Sequence, residues 1–217
     1  GEIRVGPGLR DPVVKQSGMW AGDFVPAASG KYSRAAGNPT DDVKTSLPVS
    51  LQLILYTQLV ALVIAIPLGV FTAYKAESVF DKGANILAFL GLSIPAFVVG
   101  FLLKQVFVFQ LDWLPERGWI PLSDSVSGHL ESAILPVATL VIAQIAVYFR
   151  LLRSDMIGTL QEDFITMARA KGLKPRRILF RHALRPSSLT LLTVAGLNVG
   201  TLISSAVIVE QIYGIDG

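Results

Sequence analysis

Four long stretches without a charged residue set the strongest limit on what this chain can fold into. They cover residues 45–74, 83–103, 132–149 and 186–209. About 20 apolar residues cross the hydrocarbon core of a bilayer, and a charge buried there is costly, so each stretch predicts a transmembrane helix. Hydrophobic residues make up 52% of the 217 residues and charged residues only 16%, which is unusual for a water-facing surface. The predicted spans are about 47–74, 83–108, 132–152 and 187–209.

The stretches predict helices rather than the strands of a β-barrel. A barrel strand is shorter and alternates apolar with polar residues, whereas the segment 59–66 is apolar on every side. Ser46, followed by Leu47 and Pro48, predicts the start of the first helix, because a hydroxyl caps a helix and proline suits its first turn. The sequence therefore predicts an all-α membrane protein with four transmembrane helices.

Positive charges indicate which loop faces the cytoplasm. The segment 150–185 has only three acids and nine basic residues, which are Arg150, Arg153, Arg169, Lys171, Lys174, Arg176, Arg177, Arg181 and Arg185. By the positive-inside rule this segment is cytoplasmic, and alternation places the connection 75–82 on the same side. The predicted organisation is an extracellular or periplasmic loop over 1–46, a transmembrane domain over 47–213 with a cytoplasmic loop over 154–186, and a short external segment over 214–217.

This topology places both ends of the chain outside after four crossings. We therefore expect at least one further helix before Gly1 and at least one after Gly217, so that 214–217 is a truncated external segment. The alternative is a four-helix protein with external termini.

The spans lack the groups that would drive transport by an ion gradient. An ion-coupled carrier usually has an acid or a histidine deep in the membrane, but the charge-free stretches contain neither, and His129 and His182 lie outside them. The chain also lacks the Gly-x-x-x-x-Gly-Lys-Ser/Thr loop that holds ATP phosphates. If the protein moves solute uphill, a partner ATPase must bind the nucleotide.

A membrane enzyme is the alternative from another functional class. Residues 91–95 superficially resemble a nucleophile elbow, but Pro95 stands where the last glycine belongs, and no span offers a histidine base. Two distant histidines without any cysteine do not form a metal site. The basic loop is short and lies between two spans, which argues against nucleic-acid binding. We predict no catalytic residue and no metal ligand.

The cytoplasmic loop has the pattern of two short helices joined by a sharp bend. Gly172 predicts the end of the first helix and Pro175 the start of the second. Small residues would let a partner's backbone approach closely, and basic residues could pair with its acids. These candidate contacts are Ala168, Ala170, Gly172, Arg169 and Lys171. The alternative is a solvated basic loop beside anionic lipid.

A few residues within the spans are candidates for helix packing or for lining a pathway. Gly196 and Gly200 form a Gly-x-x-x-Gly pattern, which favours close packing of helices. Asn198, Gln144 and Gln58 could line a pathway or form hydrogen bonds between helices. Pro95 predicts a kink in the second span.

The loop sequence resembles that of a known family. Residues 163–173 (DFITMARAKGL) and 181–185 (RHALR) are similar to the cytoplasmic coupling loop of the B-type permease subunit of dipeptide and oligopeptide ABC importers, a binding-protein-dependent transport system inner membrane component. Further motifs of that family occur in the same order, so the resemblance covers about residues 45–213. They are GLSIPAF at 91–97, WLPERG at 113–118, ILP at 134–136, RLLRSDM at 150–156 and VIVE at 207–210.

This resemblance implies a fold, partners and a role for the loop. The fold is the type I ABC importer permease fold, located in the bacterial cytoplasmic (inner) membrane. The implied partners are a second (C-type) permease subunit, two ATPase subunits that bind ATP and Mg²⁺, and an extracytoplasmic peptide-binding protein. The implied ATPase-coupling residues are Met167, Ala168, Arg169, Ala170, Lys171, Gly172 and Leu173. Pro186 and Thr190 depart from the pattern of the peptide branch.

The resemblance also implies a cargo. Peptides are the expected solute, with nickel, glutathione or another small solute as alternatives. Within the membrane, the chain would form half of the translocation pathway and would itself bind no cofactor.

Overall fold

The first helix begins earlier than the sequence predicted. The computed structural model describes residues 39–215, and side chains from Ser46 onward. Helix α1 (Pro39–Tyr74) starts at Pro39 and passes through Pro48, so the predicted start at Ser46 is wrong. Proline suits the first position of a helix because its fixed φ is already helical and its missing N–H has no partner there. The predicted loop over 1–46 otherwise lies outside the described residues, as do the last two residues of the predicted external segment.

The second predicted span is broken in the middle. Helix α2 (Val79–Ser93) and helix α3 (Ala96–Lys104), which continues as a π-helical segment (Gln105–Gln110), meet at an angle of 97°. Ile94 has extended backbone angles (φ −95°, ψ 121°), because a following proline disfavours the α-helical conformation. The predicted kink at Pro95 is therefore a break, and a continuous helix over 83–108 is wrong.

The remaining helices extend beyond the predicted spans. Helix α4 (Val126–Leu160) begins where Ser125 accepts a hydrogen bond from the Gly128 N–H, and it reaches into the cytoplasmic loop. Helix α5 (Asp163–Ala170) is separate from it. A short helix α6 (Pro175–Arg177) continues through a π-helical segment (Ile178–Ala183) into helix α7 (Leu184–Tyr213).

Membrane crossing fits the lengths of these helices. In residues 39–215, three helical stretches are long and apolar enough to cross a bilayer, and the bent pair α2–α3 is a fourth if it forms one broken span. Large apolar side chains such as Val63, Leu87 and Leu197 are about 70% exposed (70%, 70% and 73%) on the outside of the helices. Such a surface requires lipid or another protein as its surroundings. The described residues form helices and no strands, and the all-α membrane fold is confirmed.

Two clusters of buried side chains hold the helices together. The cytoplasmic cluster joins α1, α4, α5 and the start of α7, and its fully buried members include Tyr148, Phe149, Leu152 and Met156. The second cluster lies at the other end and joins α1, α3, α4 and α7. Because α4 contributes to both clusters, it connects the outer half of the bundle with the cytoplasmic loop.

Two charged residues that adjoin the apolar stretches are buried. Lys104 is 7% exposed; its Nζ donates to the Ile212 carbonyl oxygen at 3.3 Å and lies 3.8 Å from a Glu116 carboxylate oxygen. Glu210 is 3% exposed and accepts a hydrogen bond from the Ser50 hydroxyl at 2.7 Å. Polar partners on neighbouring elements offset the cost of burying these charges, so they do not have to reach the interface.

A close contact between α1 and α4 allows a test of this packing. A Cβ added to Gly69 would lie 3.1 Å from the nearest side-chain carbon of Leu152. Gly69→Val is therefore expected to overpack the cytoplasmic cluster and destabilise the protein by about 1–3 kcal/mol. Thermal unfolding in detergent measures the loss. Gly83→Val, where no atom lies within 4 Å of the added Cβ, is the matched control. Equal melting temperatures for the two variants would contradict the contact.

Candidate functional site in the cytoplasmic loop

Helix α5 is attached to the rest of the chain through one face. Ile165 is fully buried and Ala168 is 6% exposed, and both belong to the cytoplasmic cluster. Residues three apart lie on the same side of a helix, so this face packs inward. Ala168, which we expected to allow close approach of a partner, is therefore small because it packs against this chain's own core.

The bend after α5 is a glycine turn. Gly172 has φ +73°, its N–H donates to the Arg169 carbonyl at 2.9 Å, and the Leu173 N–H donates to the Ala168 carbonyl at 3.2 Å. A left-handed residue that ends a helix in this way is usually glycine, because a Cβ is strained there. Helix α6 then begins at Pro175, as the sequence predicted.

The outer surface of the turn remains uncovered. Met167 is 61% exposed, and Arg169, Ala170, Lys171 and Gly172 are also exposed. A Cβ on Gly172 would meet no atom within 4 Å. Neither Arg169 nor Lys171 forms an ion pair with a described residue. The turn thus has a small, basic surface that is available to another molecule.

A cavity of about 470 Å³ lies beside this turn. It is bounded by the end of α1 at Tyr74, the end of α4 at Leu160 and Gln161, and the loop at Arg169 and Leu173. Arg169 therefore lines a recess, whereas Lys171 does not.

An ion pair that the sequence did not predict ties the neighbouring connection to α4. Both nitrogens of the Arg153 fork, Nε and Nη2, lie 2.5 Å from the two carboxylate oxygens of Asp81, which is 2% exposed. Asp81 also accepts hydrogen bonds from the Asn85 side chain and the Glu77 N–H, each at 2.9 Å. The hydrogen bond from Arg153 is the main reason that the pKa of Asp81 lies below its ordinary value of 3.8. The start of α2 is thereby fixed to α4, ten residues before α5 begins.

The polar residues within the spans form hydrogen bonds between helices. The Gln58 side chain donates to the Ala195 carbonyl at 2.7 Å and accepts from the Tyr148 hydroxyl at 2.6 Å. Asn198 donates to Gln144 at 3.3 Å. These contacts join α1, α4 and α7, so the interhelical interpretation explains all three candidates, Asn198, Gln144 and Gln58.

The glycine pair in α7 does not pack against this chain. A Cβ on Gly196 or Gly200 would meet no atom within 4 Å among the described residues. Helix α7 packs instead through a different stripe that includes Leu191, Ala195 and Leu202, all buried. Both glycines face away from the described bundle, and their role in packing against another helix stays a prediction.

In residues 39–215, no three His, Asp or Glu side chains are close enough together to hold a metal ion. The exposed turn at residues 167–173 contains Arg169 and Lys171 and no acid, which suits an acidic partner rather than a cation.

Comparison with known proteins agrees with the loop motifs. A model of the family described as "Binding-protein-dependent transport system inner membrane component" matches residues 65–217. The chain is 35% identical to a peptide transport system permease protein of Brucella abortus. The alignment of 215 residues covers 99% of this chain and 68% of the relative. It is 36% identical to the oligopeptide transport system permease protein AppB of Bacillus subtilis, in an alignment that covers 95% of this chain and 66% of the relative. It is 39% identical to the oligopeptide transport system permease protein OppB of Salmonella typhimurium, with 96% of this chain and 67% of the relative covered.

The family match covers the loop motif at residues 163–173 and the spans on either side of it, and the relatives are similar over almost the whole chain. The resemblance inferred from the motifs is confirmed, as is the location in the inner membrane. This chain belongs to the family of binding-protein-dependent transport system inner membrane components.

Proposed function

We propose that this chain is the permease subunit of an ABC importer for dipeptides or oligopeptides, and that residues 167–173 couple it to an ATPase subunit. The observation that carries the proposal is the construction of α5. Its inner face, Ile165 and Ala168, is buried in the chain's own core, while its final turn is exposed and basic. An element that is fixed on one side and open on the other can transmit a push from a partner to the spans.

The buried contacts of α5 determine which helices would move with it. Ile165 and Ala168 lie in one cluster with Met156 of α4 and with Leu179 and Ala183, which lead into α7. Interiors are close-packed and deform little, so a displacement of α5 moves the cytoplasmic ends of α4 and α7 with it. ATP binding by the partner subunits would supply the displacement, and hydrolysis would reverse it.

The remaining roles are assigned to other subunits. Two ATPase subunits bind ATP and Mg²⁺, a second permease subunit completes the pathway, and an extracytoplasmic binding protein delivers the solute. This chain is non-catalytic and forms half of the pathway. On α7, Gly196, Gly200 and the exposed Ser204 form a stripe of small residues that could pack against the second permease or line the pathway. Several similar proteins are named for peptide or oligopeptide transport, which favours peptides over nickel or glutathione.

Purification followed by reconstitution tests this function. We expect the full-length protein, tagged and isolated in mild detergent, to bring with it two ATPase subunits and a second permease. In proteoliposomes with its binding protein, the complex should import a labelled tripeptide only when ATP is present. Unlabelled peptide should compete, whereas nickel and glutathione should not. Isolation without any ATPase would exclude the importer, and competition by nickel or glutathione alone would change the cargo.

A further inference from the structure

A groove on the cytoplasmic side combines apolar walls with two cations. It lies between the end of α1 and the segment formed by α6 and the π-helical turn, and its volume is about 610 Å³. Val70, Phe71, Leu179 and Phe180 form most of its walls. Lys174 and Arg176 lie at its edge, together with Tyr74 and Pro175.

The cations of the groove lack acidic partners. Lys174 and Arg176 are exposed, and neither forms an ion pair with a described residue. No acid is among the residues that line the groove. Two positive charges beside an apolar cleft attract an anion, and long apolar walls favour an anion that carries hydrocarbon.

One wall of the groove lies at the boundary between hydrocarbon and cytoplasm. The first membrane-crossing stretch ends at Tyr74, so the α1 wall borders the groove where this helix leaves the bilayer, and the opposite wall belongs to the cytoplasmic loop. Phe71, Tyr74 and Phe180 are 58%, 53% and 55% exposed, and aromatic rings are typical of this depth. The α1 wall of the groove therefore lies at a depth that both lipid headgroups and acyl chains reach.

We propose that this groove binds an anionic phospholipid, with the headgroup phosphate held by Lys174 and Arg176 and an acyl chain against Phe71 and Phe180. The site adjoins the exposed turn at residues 167–173, and Tyr74, Pro175 and Leu179 line both this groove and the recess beside the turn. Bound lipid would fix the end of α1 against α6, next to the element that transmits motion to α7.

Native mass spectrometry of the full-length protein in its native complex tests the proposal. The complex is exchanged into detergent with phosphatidylglycerol or with phosphatidylcholine that has the same acyl chains. We expect the wild type to retain phosphatidylglycerol preferentially. Lys174→Gln/Arg176→Gln should weaken that retention roughly tenfold or more, since each cation near a membrane surface contributes about fivefold to the attraction of anionic lipid.

The matched control is Arg177→Gln/Arg181→Gln, which removes two exposed cations of the same segment that do not line the groove. This control should retain phosphatidylglycerol like the wild type. If the double variant fails to assemble, the single variants Lys174→Gln and Arg176→Gln should each show a partial loss. The proposal is overturned if the wild type binds the two lipids equally, or if variant and control lose phosphatidylglycerol to the same extent. It is also overturned if another subunit covers the groove and no lipid is retained.

Discussion

Gly172→Val is expected to abolish ATP-coupled uptake while leaving the transmembrane helices folded. Gly172 has φ +73°, in the left-handed region, and a β-branched side chain there costs about 1–3 kcal/mol. The turn is closed by three backbone hydrogen bonds that follow α5, from the N–H groups of Lys171, Gly172 and Leu173. The strain is therefore expected to open the turn and to displace the surface that we propose a partner ATPase binds.

The measurement is peptide uptake and ATP hydrolysis by the reconstituted complex, with melting temperature as a check of folding. Gly158→Val is the matched control, because Gly158 is an exposed helical residue with open space around its Cβ and without positive φ. This control should transport like the wild type. Normal coupled uptake by Gly172→Val would contradict the role of the turn.

Two further substitutions separate the backbone requirement from contact with a partner. Gly172→Asn places a residue that tolerates the left-handed conformation at the same position. If it restores uptake, the glycine is needed for its φ; if it does not, a partner needs the space. Arg169→Glu leaves the turn intact and reverses one of its charges, so a loss of uptake there reports docking alone.

The sequence predicted the bend of this loop because its causes are local. Glycine after a helix and proline one turn later restrict the backbone wherever they stand, so Gly172 and Pro175 were assigned correctly. The direction in which Ala168 points is not local. It depends on which face of α5 packs on the π-helical segment (Ile178–Ala183), and the small size of alanine suits both an interior and a docking surface.

The same distinction explains the errors within the spans. Pro95 predicted a kink in the second span, but not an angle of 97° between α2 and α3. That angle follows from the extended conformation of Ile94 and from the packing of α2 and α3 on α4. Asp81 and Arg153 are 72 residues apart, and each looked like an ordinary charge at the end of an apolar stretch. No spacing rule connects two such residues, so their pairing became visible only in the folded chain.

Arg153→Ala is expected to cause a large loss of stability in the cytoplasmic half. It removes the only cation that pairs with Asp81 among the described residues, and Asp81 is 2% exposed. Leaving one member of a buried ion pair without its partner costs about 3–5 kcal/mol. The Arg153 side chain is 22% exposed, so we expect a value near the lower end. Thermal unfolding in detergent measures it, and Arg185→Ala, at an exposed position, is the matched control.

The pH dependence of that loss identifies the ion pair as its cause. The pKa of Asp81 is lowered in the folded protein, mainly by its hydrogen bond from Arg153, so the pair stabilises the fold fully above the ordinary value of 3.8. This contribution is lost as the pH falls through the folded-state pKa and the carboxylate takes up a proton. The difference in melting temperature between wild type and Arg153→Ala should therefore be greatest near pH 7 and shrink below pH 3.8. In a double-mutant cycle, Arg153→Ala should cause little further loss of stability once Asp81 is replaced by alanine. If the two losses are additive and independent of pH, the ion pair does not stabilise the contact between α2 and α4.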